Sequence, residues 1–238
     1  SRGLGDVYKR QNLVYPHIGF DEMHFIDYFD QTKILREYIT DQELYDKIIR
    51  RYENRKNNEK LFFMGITMQN HGGYTETYDN FPENYYKVGR SYTDANQYLS
   101  LVHESDEAVK NLISYFSKVD DPVEIIFFGD HQPSLNSNFY PILNGKGLTG
   151  LTEDELEKLY TVPFFIWTNY DTPEETVDIT SLDYLSTMAL ERAGIELPAY
   201  NKFLADMQEV VPAINSRGYY SKSKGCYLHI CLLYTSPS

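Results

Sequence analysis

Asp130 and His131 stand side by side in FFGDHQPS, Phe127 to Ser134, directly after an apolar run and a glycine. A carboxylate oxygen and an imidazole nitrogen can share one ion of Mn2+, Zn2+ or Fe, and less often of Mg2+ or Ca2+. An extended dipeptide would send the two side chains to opposite sides. A tight turn after Gly129 lets them converge, and Pro133 would stiffen the exit from it. The competing reading is a polar turn whose side chains cap backbone groups, and the dipeptide alone leaves both open. His71, in QNHGGY from Gln69 to Tyr74, is the second candidate. Flanked by Asn70 and two glycines, its imidazole has room to ligate a metal or to donate to a phosphate or sulfate oxygen. A lone loop histidine is more often a plain surface residue. The remaining histidines carry less. His103 lies on the flank of a helix, His24 packs after GFDEM, His17 sits in a Pro-containing turn, and His229 falls in an atypical tail. Asp106 and Glu107 read as solvated helix charges.

The elements that must position these residues follow from apolar periodicity. KLFFMGITM, Lys60 to Met68, reads as a buried strand, and Gly72-Gly73 makes the following segment a loop. Residues Phe81 to Arg90 contain Pro82 and three aromatics and read as a surface loop. From about Asp94 to Lys118, apolar residues recur at three- and four-residue spacings, which predicts a helix ended by Asp120-Asp121-Pro122. VEIIFFG, Val123 to Gly129, is a second buried strand and VPFFIWTN, Val162 to Asn169, a third. Thr152 with Glu155 carries a capping-box signature. Thr180 to Ala193 forms an amphipathic helix stopped by Gly194, and a last helix begins at Asn201 and is limited by Pro212. Strands alternating with helices predict an α/β fold with a largely parallel sheet flanked by helices. Ligands of such sheets bind beyond the carboxyl ends of the strands, where His71, Asp130 and His131 fall.

The 238 residues are 42% hydrophobic and 15% aromatic, enough to build a substantial core. The formal net charge of −13 excludes a nucleic-acid binder of the ordinary kind, which needs a basic face. An anionic substrate would need local cations such as a metal. Cys226 and Cys231 are too few for a disulfide framework, and a Zn site would need two further ligands. There is no bilayer-spanning apolar run, G-x-S-x-G, Walker loop or H-E-x-x-H. The two ends differ from the middle. SRGLGDVYKRQ, residues 1–11, and CYLHICLLYTSPS, residues 226–238, resemble translated sequencing-adapter read-through. This leaves residues 12–225 as natural sequence and implies that the chain is a fragment.

The ordered set of segments resembles the lipoteichoic acid synthase-like phosphoglycerol transferases, in the sulfatase branch of the alkaline phosphatase superfamily. FFGDHQPSL resembles their metal-binding Gly-Asp-His segment, and FFMGITMQNHGGY their strand ending in Asn-His. VYPHIGFDEM resembles the stretch around their Tyr-Pro and Gly-Phe-Asp elements. SYTDANQYLSLVHESDEAVKNLISYF resembles the helix before their Gly-Asp-His strand, and TVPFFIWTNYD and LPAYNKFL are similar to later segments, so that the match covers about Asn12 to Gly225. The resemblance implies an alkaline phosphatase/sulfatase-like fold truncated at its N-terminus. It implies that Asp130 and His131 are ligands of a divalent ion, commonly Mn2+, with Mg2+, Zn2+ or Ca2+ as substitutes, and that His71 contacts the substrate phosphate.

The implied reaction moves glycerophosphate from an anionic phospholipid headgroup to a glycan or polyglycerolphosphate acceptor through a covalent threonine intermediate. The implied setting is the outer face of the cell membrane, with N-terminal membrane helices as tether. The family's threonine nucleophile and acidic metal ligand precede the Tyr-Pro stretch, so neither is assigned to a residue here. No catalytic nucleophile is expected downstream of Asn12, and the truncated chain is expected to be inactive. Two other readings remain: a sulfatase or phosphodiesterase of the same superfamily, and a non-catalytic cell-surface module with the same fold.

Overall fold

The computed structural model describes residues 11–81, 92–215 and 217–229. They form two compact units. The first runs to Lys118 and includes Pro133–Phe139; the second comprises Val119–Gln132 and the chain from Tyr140 onward.

In the first unit a short helix, α1 (Gln11–Val14), and two 3-10 turns lead to a hairpin of β1 (Ile34–Leu35) and β2 (Tyr38–Ile39). Helix α2 (Asp41–Glu53) follows at once. Thr40 caps it by accepting from the Glu43 amide at 3.2 Å. Asp41 and Glu43 in its first turn and Arg50 and Arg51 in its last complement the helix dipole. The expectations above include no helix here, although Thr40-x-x-Glu43 ahead of Leu44, Tyr45 and Ile48 is a start signal. Helix α3 (Thr93–Phe116) closely matches its expected span. Its buried stripe of Ala95, Leu101, Ala108, Leu112 and Phe116 recurs at helical spacing. Tyr52 of α2 meets Phe116 edge-on at 5.2 Å, in the favoured geometry of an aromatic pair. A second cluster joins Tyr74, Phe81 and Leu101, with Leu35, Tyr78, Tyr98 and Leu135 packed against it.

Two expectations change in this unit. Phe81 is a core residue, not the start of a surface loop, and residues 82–91 lie outside the described part. Leu61–Met68 is not a buried strand. It pairs with no other strand among the described residues, and Phe62 is 80% exposed. The segment instead lies against α2, where a Cβ at Gly65 would come within 2.9 Å of Leu44. Its composition suits a sheet, but a ladder needs a partner at both donor and acceptor groups, and none is described.

In the second unit β3 (Glu124–Phe128) pairs with β4 (Phe164–Thr168) from Glu124↔Thr168 to Phe128↔Phe164. Phe127 and Phe165 stack across the ladder at 5.3 Å, a cross-strand pair of the stabilising kind. Asn169 locks the entry to β3. Its side chain accepts from Val123 N and donates to the Val119 and Asp121 carbonyls. The short helices α4 (Tyr140–Asn144) and α5 (Glu153–Lys158) come between the strands, and α5 carries the expected Thr152–Glu155 capping box. Helices α6 (Leu182–Arg192) and α7 (Ala199–Val210) pack together around Tyr184, which is fully buried and donates to the Val211 carbonyl. A three-stranded meander of β5 (Ala213–Ile214), β6 (Gly218–Ser221) and β7 (Cys226–His229) closes the unit.

All ladders among the described residues are antiparallel, so the expected parallel pairing is not among them. The strand that would have made it, Leu61–Met68, forms no ladder. For the same reason β3 and β4 are half-buried instead of covered on both faces. Part of the tail expected to be foreign, Cys226–His229, is the third strand of the meander, and residues 230–238 lie outside the described part. Cys226 is a free thiol. No described helix is long and apolar enough to cross a membrane.

Candidate functional site

Strand β3 delivers Asp130 and His131. The ladder continues one step past it, where Gly129 donates to the Pro163 carbonyl at 3.2 Å. A Cβ at Gly129 would sit 3.1 Å from that of Val162, so a side chain here would push the two strand ends apart. The chain then turns. Asp130 Oδ1 accepts from the His131 amide at 2.8 Å, and Asp130 Oδ2 lies 3.5 Å from His131 Nε2. His131 Nδ1 lies 2.9 Å from the Gln132 carbonyl, and the Gln132 side chain donates to the Thr161 carbonyl. The two side chains therefore converge, as a turn after Gly129 allows, while Asp130 also caps a backbone amide.

With Nδ1–H donated to the Gln132 carbonyl, the neutral ring turns its Nε2 lone pair towards the Asp130 carboxylate. Two electron-rich atoms facing one space suit a shared cation, and a ring nitrogen held by a carbonyl is the usual second contact of a metal-bound histidine. Both side chains are open to solvent, at 84% and 77% exposure. Among the described residues no third His, Cys, Asp or Glu joins them in a metal-sized group. The donor pair fits a divalent ion as part of a ligand set.

His71 belongs to the first unit, so the structure brings Asp130 and His131 together and describes His71 separately. It sits on a turn closed by its own amide, which donates to the Met68 carbonyl at 3.0 Å. Gly73 permits the turn with a φ of 97°. A polar frame lies beneath. Arg36, 4% exposed, donates to the carbonyls of Gln69 at 2.9 Å and His71 at 2.6 Å, and to Gln97 Oε1 at 3.1 Å. The Ser105 hydroxyl accepts from the side chains of Gln69 at 3.2 Å and Asn70 at 2.9 Å and donates to Asp41 at 2.6 Å. Gln69 in turn accepts from the Asp41 amide, and Tyr74 donates to the Asn70 carbonyl. Burial pushes the Asp41 carboxyl up to about 6 against the Ser105 hydrogen bond, and burial lowers the Arg36 guanidinium.

Sequence reasoning missed this frame. Arg36, Asp41 and Ser105 come from a hairpin tip, a helix start and the middle of another helix, and no spacing links them. Of the other histidines, His24 stacks on Tyr28 at 3.9 Å and pairs with Glu22, which fits a packing role. Glu107 pairs with Lys110 on the exposed face of α3.

Comparison with known proteins places the chain in a family. The sulfatase family model matches residues 2–195. A putative cyclic beta-1,2-glucan modification protein of Rhizobium meliloti is 27% identical over 207 residues, which are 84% of this chain and 32% of that protein. The capsular polysaccharide biosynthesis protein RkpI of the same organism is 33% identical over 124 residues, 51% of this chain and 21% of that protein. The chain thus spans about a third of the first relative's length or less. Among solved structures, Streptococcus pyogenes phosphoglycerol transferase GacH, in complex with sn-glycerol-1-phosphate, superposes with a TM-score of 0.64 at 20% identity. That alignment covers 87% of this chain and 52% of the other, and it shows a shared alkaline phosphatase/sulfatase-like α/β fold. The chain belongs to the sulfatase family.

Proposed function

We propose that the chain is part of a metal-dependent phosphoglycerol transferase acting at the outer face of the cell membrane. The reaction would move glycerophosphate from an anionic phospholipid headgroup to a glycan acceptor. The observation that carries this reading is the convergence of Asp130 and His131 at the end of β3, with His131 held through Nδ1 so that Nε2 faces the carboxylate. The shared fold of GacH, solved with sn-glycerol-1-phosphate, supports the glycerophosphate half. The relatives named for glucan modification and capsular polysaccharide biosynthesis support a glycan over a polyglycerolphosphate acceptor.

Asp130 and His131 would hold the ion, Mn2+ in the first place, with Mg2+, Zn2+ or Ca2+ as substitutes. When bound, such an ion supplies Lewis-acid stabilisation of charge on a phosphoryl oxygen and lowers the pKa of a nucleophile. His71 would donate an imidazole N–H to a phosphoryl oxygen, which neutralises charge and orients the phosphoryl group for attack. A threonine nucleophile supplied from upstream of Asn12 completes the proposal, together with membrane helices that keep the domain near its lipid donor.

The test is turnover by the complete gene product with phosphatidylglycerol as donor and a β-glucan as acceptor, followed by transfer of radiolabelled glycerophosphate. Transfer is expected, and Asp130→Ala or His131→Ala should lower it by at least about 100-fold, since metal stabilisation is worth several kcal/mol. The family as a whole favours a second reading, hydrolysis of a sulfate ester. Turnover of p-nitrophenyl sulfate with no glycerophosphate transfer would replace the first reading by the second.

A further inference from the structure

The geometry points to the β1–β2 hairpin as the positioning element of His71: Arg36 fixes the backbone of its turn and Tyr38 fixes its ring, so that Nε2–H is the group presented outward. This goes beyond the assigned role of His71 and needs the phosphate reading only for the identity of what Nε2 meets.

Three observations on this one hairpin support it. The first is backbone strain. Arg36 adopts a φ of 55°, the left-handed region that a long side chain rarely occupies and where its backbone is strained. Asparagine or glycine would close the same turn without that strain. The second is what the side chain does from that position. The guanidinium is buried, yet its hydrogen-bond acceptors are neutral oxygens, two of them the carbonyls that flank Asn70. Nη2 donates to both carbonyls while Nη1 reaches Gln97 Oε1, so one planar group ties the turn to α3, a span that a lysine's single nitrogen does not cover. The tyrosine rings of Tyr38 and Tyr74 lie 5.5 Å from the guanidinium carbon, and that of Tyr78 6.0 Å, so the cation is met by aromatic faces in place of a carboxylate.

The third observation is Tyr38 itself. Its hydroxyl lies 3.1 Å from His71 Nδ1. Burial raises the phenol's pKa, so it keeps its proton through the neutral range and can donate it. A neutral imidazole that accepts at Nδ1 must carry its proton on Nε2. A phenol can donate or accept; taken as the donor to Nδ1, it sets both the place of the ring and which nitrogen donates. Tyr38 and Arg36 are positioning residues; only His71 would touch a ligand.

The test uses the 15N-labelled 238-residue chain, about two pH units above the ordinary imidazole pKa so that the ring is neutral. Two-bond 15N–1H correlation should show His71 protonated almost wholly on Nε2. Tyr38→Phe, which removes only the hydroxyl, should move the two ring nitrogen shifts towards each other as the tautomers mix. Arg36→Lys should speed hydrogen exchange at the amides of Gln69 to Gly72 by at least about tenfold, with α6 and α7 unchanged. Native Nδ1 protonation, unchanged ring shifts in Tyr38→Phe, or unchanged exchange in Arg36→Lys would overturn the inference. Titration with inorganic phosphate separates the two readings. A locked tautomer whose Nε2 ignores phosphate upholds the positioning role and removes the phosphate contact. An equal response in the native chain and in Tyr38→Phe does the reverse.

Discussion

Asp41 is the residue whose chemistry and burial conflict most. It starts α2, is 2% exposed, and titrates near 6 where a free aspartate titrates near 3.8. The folded chain therefore holds this proton more tightly than the unfolded chain does. Below the unfolded value both states are protonated and folding incurs no penalty. Between about 3.8 and 6 the unfolded carboxyl ionises while the buried one keeps its proton, and once pH has passed about 6 folding has lost on the order of 2–3 kcal/mol. Asp41→Asn removes the titration. Urea unfolding at about pH 5 and pH 8 should show a smaller fall in stability for this variant than for the native chain, and parallel pH profiles in the two proteins would contradict the assignment. Nothing in the local sequence of Asp41 announces this, because its burial comes from Gln69 and Ser105, far along the chain. Asp130 and His131 were legible for the opposite reason. They are neighbours in sequence, and the glycine that turns them together precedes them.

At the scale of elements, helices that carry their own start and stop signals read correctly. Helix α3 has an apolar stripe, α5 a capping box, and α6 a following Gly194 at a φ of 66°. Helix α2 carries the same kind of signal in Thr40 and Glu43, and its first turn holds the frame beneath His71. Thr40→Ala should therefore cost about 1 kcal/mol by urea denaturation, and Thr40→Ser should restore most of it. A loss confined to α2, with no change in global stability, would show that this helix unfolds separately. Strands were less legible, because composition marks a segment as fit for a sheet and does not supply its neighbour. The runs at β3 and β4 found each other; Leu61–Met68, with the same composition, found only the side of α2.

The whole molecule carries a net charge of −13, against the charge of the phosphate ester proposed as its substrate. Local cations must offset that field, and the Asp130–His131 pair supplies only two ligands towards one. Calorimetric titration of the 238-residue chain with Mn2+ should therefore show binding no tighter than about 1 mM, the weak end of protein cation sites, and no glycerophosphate transfer. Tight Mn2+ binding abolished by Asp130→Ala would mean that this chain holds a complete site. The chain spans 32% of the length of the relative named as a putative cyclic beta-1,2-glucan modification protein.

The open stretch from Leu61 to Met68 has a consequence for how the polypeptide behaves in the tube. Phe62, Met64, Ile66 and Met68 are all exposed and fall on alternate positions, which in an extended chain is one face. Such a face, whose backbone joins no ladder among the described residues, is a template for a like segment from another molecule. Samples of this chain should therefore cloud with a lag that concentration shortens and that preformed aggregate abolishes. A lysine at position 64 should lengthen it by placing charge in the middle of the template.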